Sequence, residues 1–226
     1  MREAAREAMV VNDIDTGQRE ASLAIIAAAQ SMDAAGFTPN KSGNVSQRFA
    51  DGYLITPAAQ PYATLQADDI VHLNAAGHVK RSRHRPSSEW SMHAMIYRQR
   101  PDAHAILHNH SPNATALSAT RRGIPPFHYM IAVARGDIRC ANYATFGTDA
   151  LAENAVAALA DRNAALLANH GVVAIGATLS AALSVAIEVE NLARQYLLLL
   201  AAGLTPTLLD DAEMAVVLKK FRDYGR

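Results

Sequence analysis

The pattern of apolar and polar positions predicts a first helix over about 15–35. It is closed by Gly36, since a residue without Cβ enters the left-handed turn at a helix end most readily. Lys41-Ser42-Gly43-Asn44-Val45-Ser46 is then a turn-forming cluster, and short strands follow at about 45–49 and 53–56. Asp51-Gly52 between them is a strong hairpin signal, and 69–73 and 78–80 around Ala76-Gly77 predict a second hairpin. Pro86-Ser87-Ser88-Glu89 opens a helix that ends at Arg100-Pro101, with serine at the cap and glutamate in the first turn to meet free amides. Beyond it the pattern predicts strands at 104–108, 128–132 and 164–169, the last turning at Gly171 and continuing through 172–175. Helices are expected over about 113–120, 148–160, 180–202 and 210–224. Strands mixed with helices and several hairpins imply an α/β fold: a mixed, largely antiparallel central sheet covered by helices, rather than a doubly wound parallel one.

Two of these apolar runs end in histidine. In Ala105-Ile106-Leu107-His108-Asn109-His110, strand alternation puts His108 and His110 on one face with Asn109 opposite. Two imidazoles on one face make half of a divalent metal site, although His-x-His is short enough to arise by chance. Ala165-Leu166-Leu167-Ala168-Asn169-His170-Gly171 supplies a third histidine. Neutral imidazole suits zinc and its first-row neighbours, and three such ligands leave a position open for chemistry.

Composition narrows the picture. The 226 residues fit one domain with a full core, so 1–226 reads as a single unit, with no repeat and no Gly-, Pro- or Ser-rich linker. Half the residues are hydrophobic and 21 basic residues balance 21 acidic ones, which leaves no electrostatic footprint for nucleic acid or an anionic membrane. A single cysteine, Cys140, suits a reducing cytoplasm and serves as a small buried hydrophobe. The charged start Met1-Arg2-Glu3 is not that of a signal peptide, and no run is long enough to span a bilayer.

A metal held by three imidazoles needs a proton carrier nearby, and Glu89 is the best candidate, although glutamate in a first helical turn is commonly a solvated dipole partner. His93, one turn on, reads as a packing or hydrogen-bonding neighbour. The Gly43-Asn44 turn and the Ser87-Ser88 helix start offer amides and hydroxyls of the kind that bind phosphate or carboxylate, and Lys41 adds a positive charge. Singly, these are ordinary turn and cap residues.

Taken in order, Ser42-Gly43-Asn44-Val45-Ser46, Asp51-Gly52-Tyr53-Leu54-Ile55-Thr56-Pro57, Pro86-Ser87-Ser88-Glu89-Trp90, His108-Asn109-His110 and Asn169-His170-Gly171 resemble the class II aldolase/adducin family. Phe127-His128-Tyr129-Met130, Tyr143-Ala144-Thr145-Phe146-Gly147 and Lys220-Phe221-Arg222-Asp223-Tyr224-Gly225 bring the likeness nearest to its fuculose-phosphate aldolase branch. The resemblance covers nearly the whole chain from about Gly17. It implies α/β/α layers, one divalent metal per subunit (zinc first, manganese or cobalt also suited), and a homotetramer with active sites between subunits. It implies a lyase that cleaves a ketose or ketose phosphate through an enediolate held at the metal. His108, His110 and His170 match the metal ligands, and Glu89 matches a glutamate that ligates the resting metal and then acts as acid/base. Tyr129 matches a tyrosine that reaches a neighbouring subunit's site and protonates the aldehyde oxygen in condensation. Phe146, Phe221 and Tyr224 match walls around the aldehyde end.

The phosphate grip departs from the family pattern. Asn44, Ser87 and Ser88 remain, but Lys41 stands where the family has threonine, and Ala58 and Ala59 stand where it has a hydroxyl-bearing residue and glycine. A hydroxyl donor is lost and a Cβ is added, while Lys41 offers a full charge. A phosphorylated, a carboxylate-bearing and an unphosphorylated substrate all stay open. So do a metal-dependent decarboxylase and a sugar-phosphate epimerase of the same superfamily, although the epimerases typically carry aspartate at the Glu89 position. A non-catalytic adducin-like module is disfavoured by the complete set of three histidines and glutamate.

Overall fold

The computed structural model describes residues 2–223, with side chains described over 16–222 except at Arg81. Eight strands form one sheet: β1 (Asn44–Phe49), β2 (Gly52–Ile55), β3 (Val71–Asn74), β4 (Val79–Arg81), β5 (Ala105–Asn109), β6 (Arg139–Ala141), β7 (Ala164–Leu167) and β8 (Gly171–Gly176). Their order is β4-β3-β2-β1-β5-β8-β7-β6, antiparallel throughout except for the parallel β6–β7 pair. Among the described residues six α-helices accompany it: α1 (Arg2–Ala34), α2 (Trp90–Gln99), α3 (Pro112–Ser118), α4 (Asp149–Ala158), α5 (Leu179–Ala201) and α6 (Asp211–Asp223). The expected mixed, largely antiparallel sheet covered by helices is the observed one.

Strand alternation sorts the core into two faces. Ile106, Ala165, Leu167, Val173 and Ile175 point to one side, where α2 and α4 pack on them. Ala105 and Leu107 point to the other side, against α1, and Leu166, Val172 and Ala174 face α3 and α5. The central strands are therefore buried on both faces, which is why they read as continuous apolar runs. Gly36 closes α1 as expected, with φ of +75° and Phe37 N–H donating to Met32 C=O at 2.9 Å. Among the described residues no helix is long and apolar enough to cross a membrane.

The structure corrects four local expectations. The first helix begins at Arg2 rather than near 15. Residues 128–132 are not a strand: Tyr129–Ala134 is a 3₁₀ helix, capped by the His128 ring accepting from Met130 N–H and closed by Arg135 in the left-handed region. Its buried Ile131 and Ala134 are three residues apart, the 3₁₀ period. The strand of this region is β6, three residues long and too short to stand out in the pattern. Finally, the second helix starts at Trp90, not at Pro86. Pro86 bridges to Pro57 and Ser87 N–H donates to Thr56 C=O at 3.1 Å, so 86–88 is tied to the loop after β2, leaving Glu89 at the cap.

At the start of β8 the backbone passes so near β5 that a Cβ on Gly171 would lie 2.4 Å from the Asn109 carbonyl oxygen and 2.9 Å from the His110 ring. Gly171→Ala should therefore cost about 1–3 kcal/mol of stability, as overpacked sites do. Urea unfolding measures this, and an unchanged midpoint would mean that the two strands part at no cost.

Candidate metal and active site

The sheet register and one tight turn assemble the histidines. His108 lies on β5 beside Asn44 of β1 and Val173 of β8, and His110 follows directly after β5. The β7–β8 turn, with Asn169 at φ +55°, swings His170 onto the same side. One ligand nitrogen from each ring falls within 4.8 Å of the others. The Nε2 atoms of His108 and His110 are 3.1 Å apart, and the three ring centroids are separated by 4.9, 4.7 and 5.0 Å. His108 Nδ1 donates to the Val172 carbonyl at 2.8 Å, which directs Nε2 into the cluster, the orienting hydrogen bond typical of a ligating imidazole.

Glu89 is no solvated helix-dipole partner. It is 6% exposed, with Oε2 3.0 Å from His108 Nε2 and Oε1 3.4 Å from His170 Nε2. Asn44 donates its amide to Oε2 at 2.9 Å, whereas Oε1 lacks a hydrogen-bond partner. Burial works against this carboxylate's charge, yet the charges and hydrogen bonds of His108, His170 and Asn44 hold its pKa well below the usual range. Burial likewise opposes a charge on His108, but Glu89 beside it holds the ring's pKa up. Burial, and then repulsion from His108, pushes His110 and His170 down to about 4, so both are lone-pair donors at neutral pH. Three converging imidazoles, one carboxylate and an unpartnered buried oxygen fit a divalent cation.

A cavity of about 470 Å³ opens onto this cluster, with Glu89, His110 and His170 in its wall. Lys41, Gly43, Asn44, Ala58, Ala59, Ser87, Ser88 and Phe146 line the same cavity. The loops meet because Ala58 N–H donates to Arg85 C=O at 3.0 Å, beside the Pro57–Pro86 bridge. Gly43 is required where it stands, with φ of +111° and a would-be Cβ 2.7 Å from the His108 carbonyl oxygen. Ala59 holds φ of +57°, a conformation that a glycine would adopt more readily.

Tyr129 and Phe221 do not line the cavity; their rings pair at 6.3 Å, and Tyr129 is 53% exposed. Tyr224 lies outside the described residues. Sequence reasoning missed Ser42, Gln60, Tyr62, Tyr143 and Asn169, all of which line the cavity. Tyr143 and Asn169 sit inside motifs already singled out, and that adjacency was the available signal. Tyr62 had no local signal: it arrives from a 3₁₀ turn and donates its hydroxyl to the Gly43 carbonyl at 2.6 Å.

Residues 23–197 match the family model described as the class II aldolase and adducin N-terminal domain. The chain is 46% identical over 202 residues to the 5-methylthioribulose-1-phosphate/5-deoxyribulose-1-phosphate aldolase of Rhodospirillum rubrum, covering 89% of this chain and 90% of that protein. It is equally similar, at 46% over 89% of this chain and 94% of the relative, to the L-fuculose phosphate aldolase of Escherichia coli K12. A solved L-fuculose 1-phosphate aldolase superposes with a TM-score of 0.87 at 38% identity, covering 90% of this chain and 96% of that one.

Complete burial pushes the His93 pKa from the ordinary 6.5 down to about 3. Between those values the unfolded chain binds a proton that the folded chain refuses, so stability falls as pH drops from 6.5 toward 3. In urea unfolding of the metal-free protein, the wild type should lose on the order of 2 kcal/mol more than His93→Gln between roughly pH 7 and pH 5. Equal losses would mean that His93 titrates normally.

Proposed function

The chain belongs to the class II aldolase and adducin family, and from that premise we propose that it is a metal-dependent aldolase cleaving a ketose 1-phosphate into dihydroxyacetone phosphate and an aldehyde. The observation that carries this reading is the buried Glu89 carboxylate facing three convergent imidazoles at the floor of a cavity. The activities named for its relatives, both acting on ketose phosphates, support the substrate class.

His108, His110, His170 and Glu89 would hold the ion, zinc by preference for imidazole donors, with manganese or cobalt as alternatives. When bound, it supplies positive charge against the negative charge that develops on the ketose oxygens as the carbon–carbon bond breaks. Lys41, Asn44, Ser87 and Ser88, with the Gly43 backbone and the loop of Ala58 and Ala59, bind the phosphate end. Breaking the bond between C3 and C4 leaves its electron pair on C3, and Glu89, ionised at rest, takes a proton from solvent and delivers it to that carbon. Phe146, which lines the same cavity, walls the aldehyde end. Tyr129 exchanges the proton of the aldehyde oxygen in a neighbouring subunit's site, with Phe221 beside it. The exposure of Tyr129 away from its own cavity supports its reaching a neighbouring subunit, and the homotetramer rests on the family resemblance. One catalytic domain over residues 1–226, working in a reducing cytoplasm, completes the reading.

Metal-loaded protein should exchange solvent deuterium into C3 of dihydroxyacetone phosphate. Exchange only into glycolaldehyde or hydroxypyruvate would move the substrate class, and exchange into none of the three would overturn the aldolase reading. Glu89→Gln should keep its metal, measured by elemental analysis, and lose exchange by about 100-fold or more, the scale of a lost general acid/base. Lys41→Ala should raise KM for the phosphorylated ketose by about 10-fold while leaving a neutral ketose within about twofold, given that a charge-assisted hydrogen bond is worth roughly 1.5 kcal/mol. Equal effects on both substrates would remove Lys41 from the anion site.

A further inference from the structure

Asn44, His93, Ser46 and Tyr97 stand one behind another beyond Glu89, each no more than 6% exposed. They come from two elements whose periods match. β1 presents Asn44 and Ser46 two residues apart on one face, and α2 with its cap presents Glu89, His93 and Tyr97 four residues apart. Asn44 Nδ2 lies 2.9 Å from Glu89 Oε2, and Asn44 Oδ1 lies 2.5 Å from His93 Nε2. His93 Nδ1 is 2.6 Å from Ser46 Oγ, which is 2.8 Å from the Tyr97 hydroxyl.

Only one hydrogen-bond direction satisfies all five groups. An ionised carboxylate only accepts, so Asn44 turns its NH₂ toward Glu89 and its carbonyl toward His93. That carbonyl also only accepts, so His93 Nε2 carries the hydrogen. Complete burial, which pushes this ring down to about pKa 3, keeps it neutral, so Nδ1 accepts from Ser46, and Ser46 accepts from Tyr97. The Tyr97 ring is pinned from behind by the Arg48 guanidinium, 4.7 Å from its centroid. An amide cannot relay a proton along such a row without tautomerising, so the row serves to orient.

We propose that His93, locked as the neutral Nε2–H tautomer, is the positioning residue for Glu89. By fixing which way the Asn44 amide faces, it ties Oε2 to Asn44 and His108 and leaves Oε1, which has no hydrogen-bond partner, as the oxygen that carries the substrate proton. This rests on Glu89 being the proton carrier of the reaction proposed above.

Two measurements test it. In the zinc-loaded full chain, ¹⁵N spectra of labelled histidine should show His93 protonated at Nε2 and accepting at Nδ1, unchanged over roughly pH 5.5 to 8.5. A hydrogen on Nδ1, or a charged ring, overturns the proposal without any assay. The second uses a pair of substitutions, since glutamine keeps a donor near Nε2 and asparagine keeps only an acceptor near Nδ1. His93→Asn should slow deuterium exchange into dihydroxyacetone phosphate by about 10–100-fold, the usual cost of losing an orienting partner, while His93→Gln stays within about fivefold of wild type. Thermal midpoints of the two variants should match, and equal slowing in both would reduce His93 to a packing residue. If Glu89→Gln retains exchange, or the wild type exchanges nothing, the functional reading fails instead, and the ¹⁵N spectrum still decides the tautomer.

Discussion

A carboxylate at 6% exposure is tolerable only where other groups replace the water it has lost, and much of this molecule is arranged around that requirement at Glu89. The replacement comes from His108 of β5, His170 of the β7–β8 turn and Asn44 of β1, none of them near Glu89 in the chain. All three reach it because β1, β5 and β8 are adjacent in the sheet and present one face to α2. A slip of one residue in any of these pairings would send a ligand to the opposite face.

The same constraint explains why so much of the surroundings is fixed. Gly43 has room for no side chain against the His108 backbone, and Gly171 has none against Asn109. Helix α2 begins at Trp90 because the preceding residues are tied to the loop after β2, and this sets Glu89 at the helix end, inside the protein, rather than one turn along an exposed surface. The positions that depart from the family pattern, Lys41 with Ala58 and Ala59, line the cavity from loops outside the sheet, and none belongs to the histidine cluster. These loop residues can vary while the histidine cluster, held by β5 and the β7–β8 turn, stays as it is, a division between a rigid sheet and variable loops.

Much of this was legible in the chain. The hairpin around Asp51-Gly52, the stop at Gly36 and the two apolar runs ending in histidine are short-range signals, since turn chemistry and alternation act within a few residues. The ordered motifs resembling class II aldolases contain the three histidines, Glu89 and part of the cavity lining, while Gln60 and Tyr62 lie outside them. The segment at 128–132 misled because a β-like apolar run also satisfies a 3₁₀ turn when a histidine caps it. Likewise β6 is only three residues long, and its neighbour β7 is a distant partner.

What the sequence by itself determined, then, is most of the local elements and the inventory of donors: three imidazoles, a carboxylate and the Lys41 ammonium. What only the tertiary structure decided is their state. Whether Glu89 is solvated or buried, which of its oxygens is tied to Asn44, and that Tyr129 stands away from its own cavity all depend on neighbours far along the chain, such as Asn44, 45 positions from Glu89. Burial and hydrogen-bond direction are properties of packed partners, and no single segment carries them.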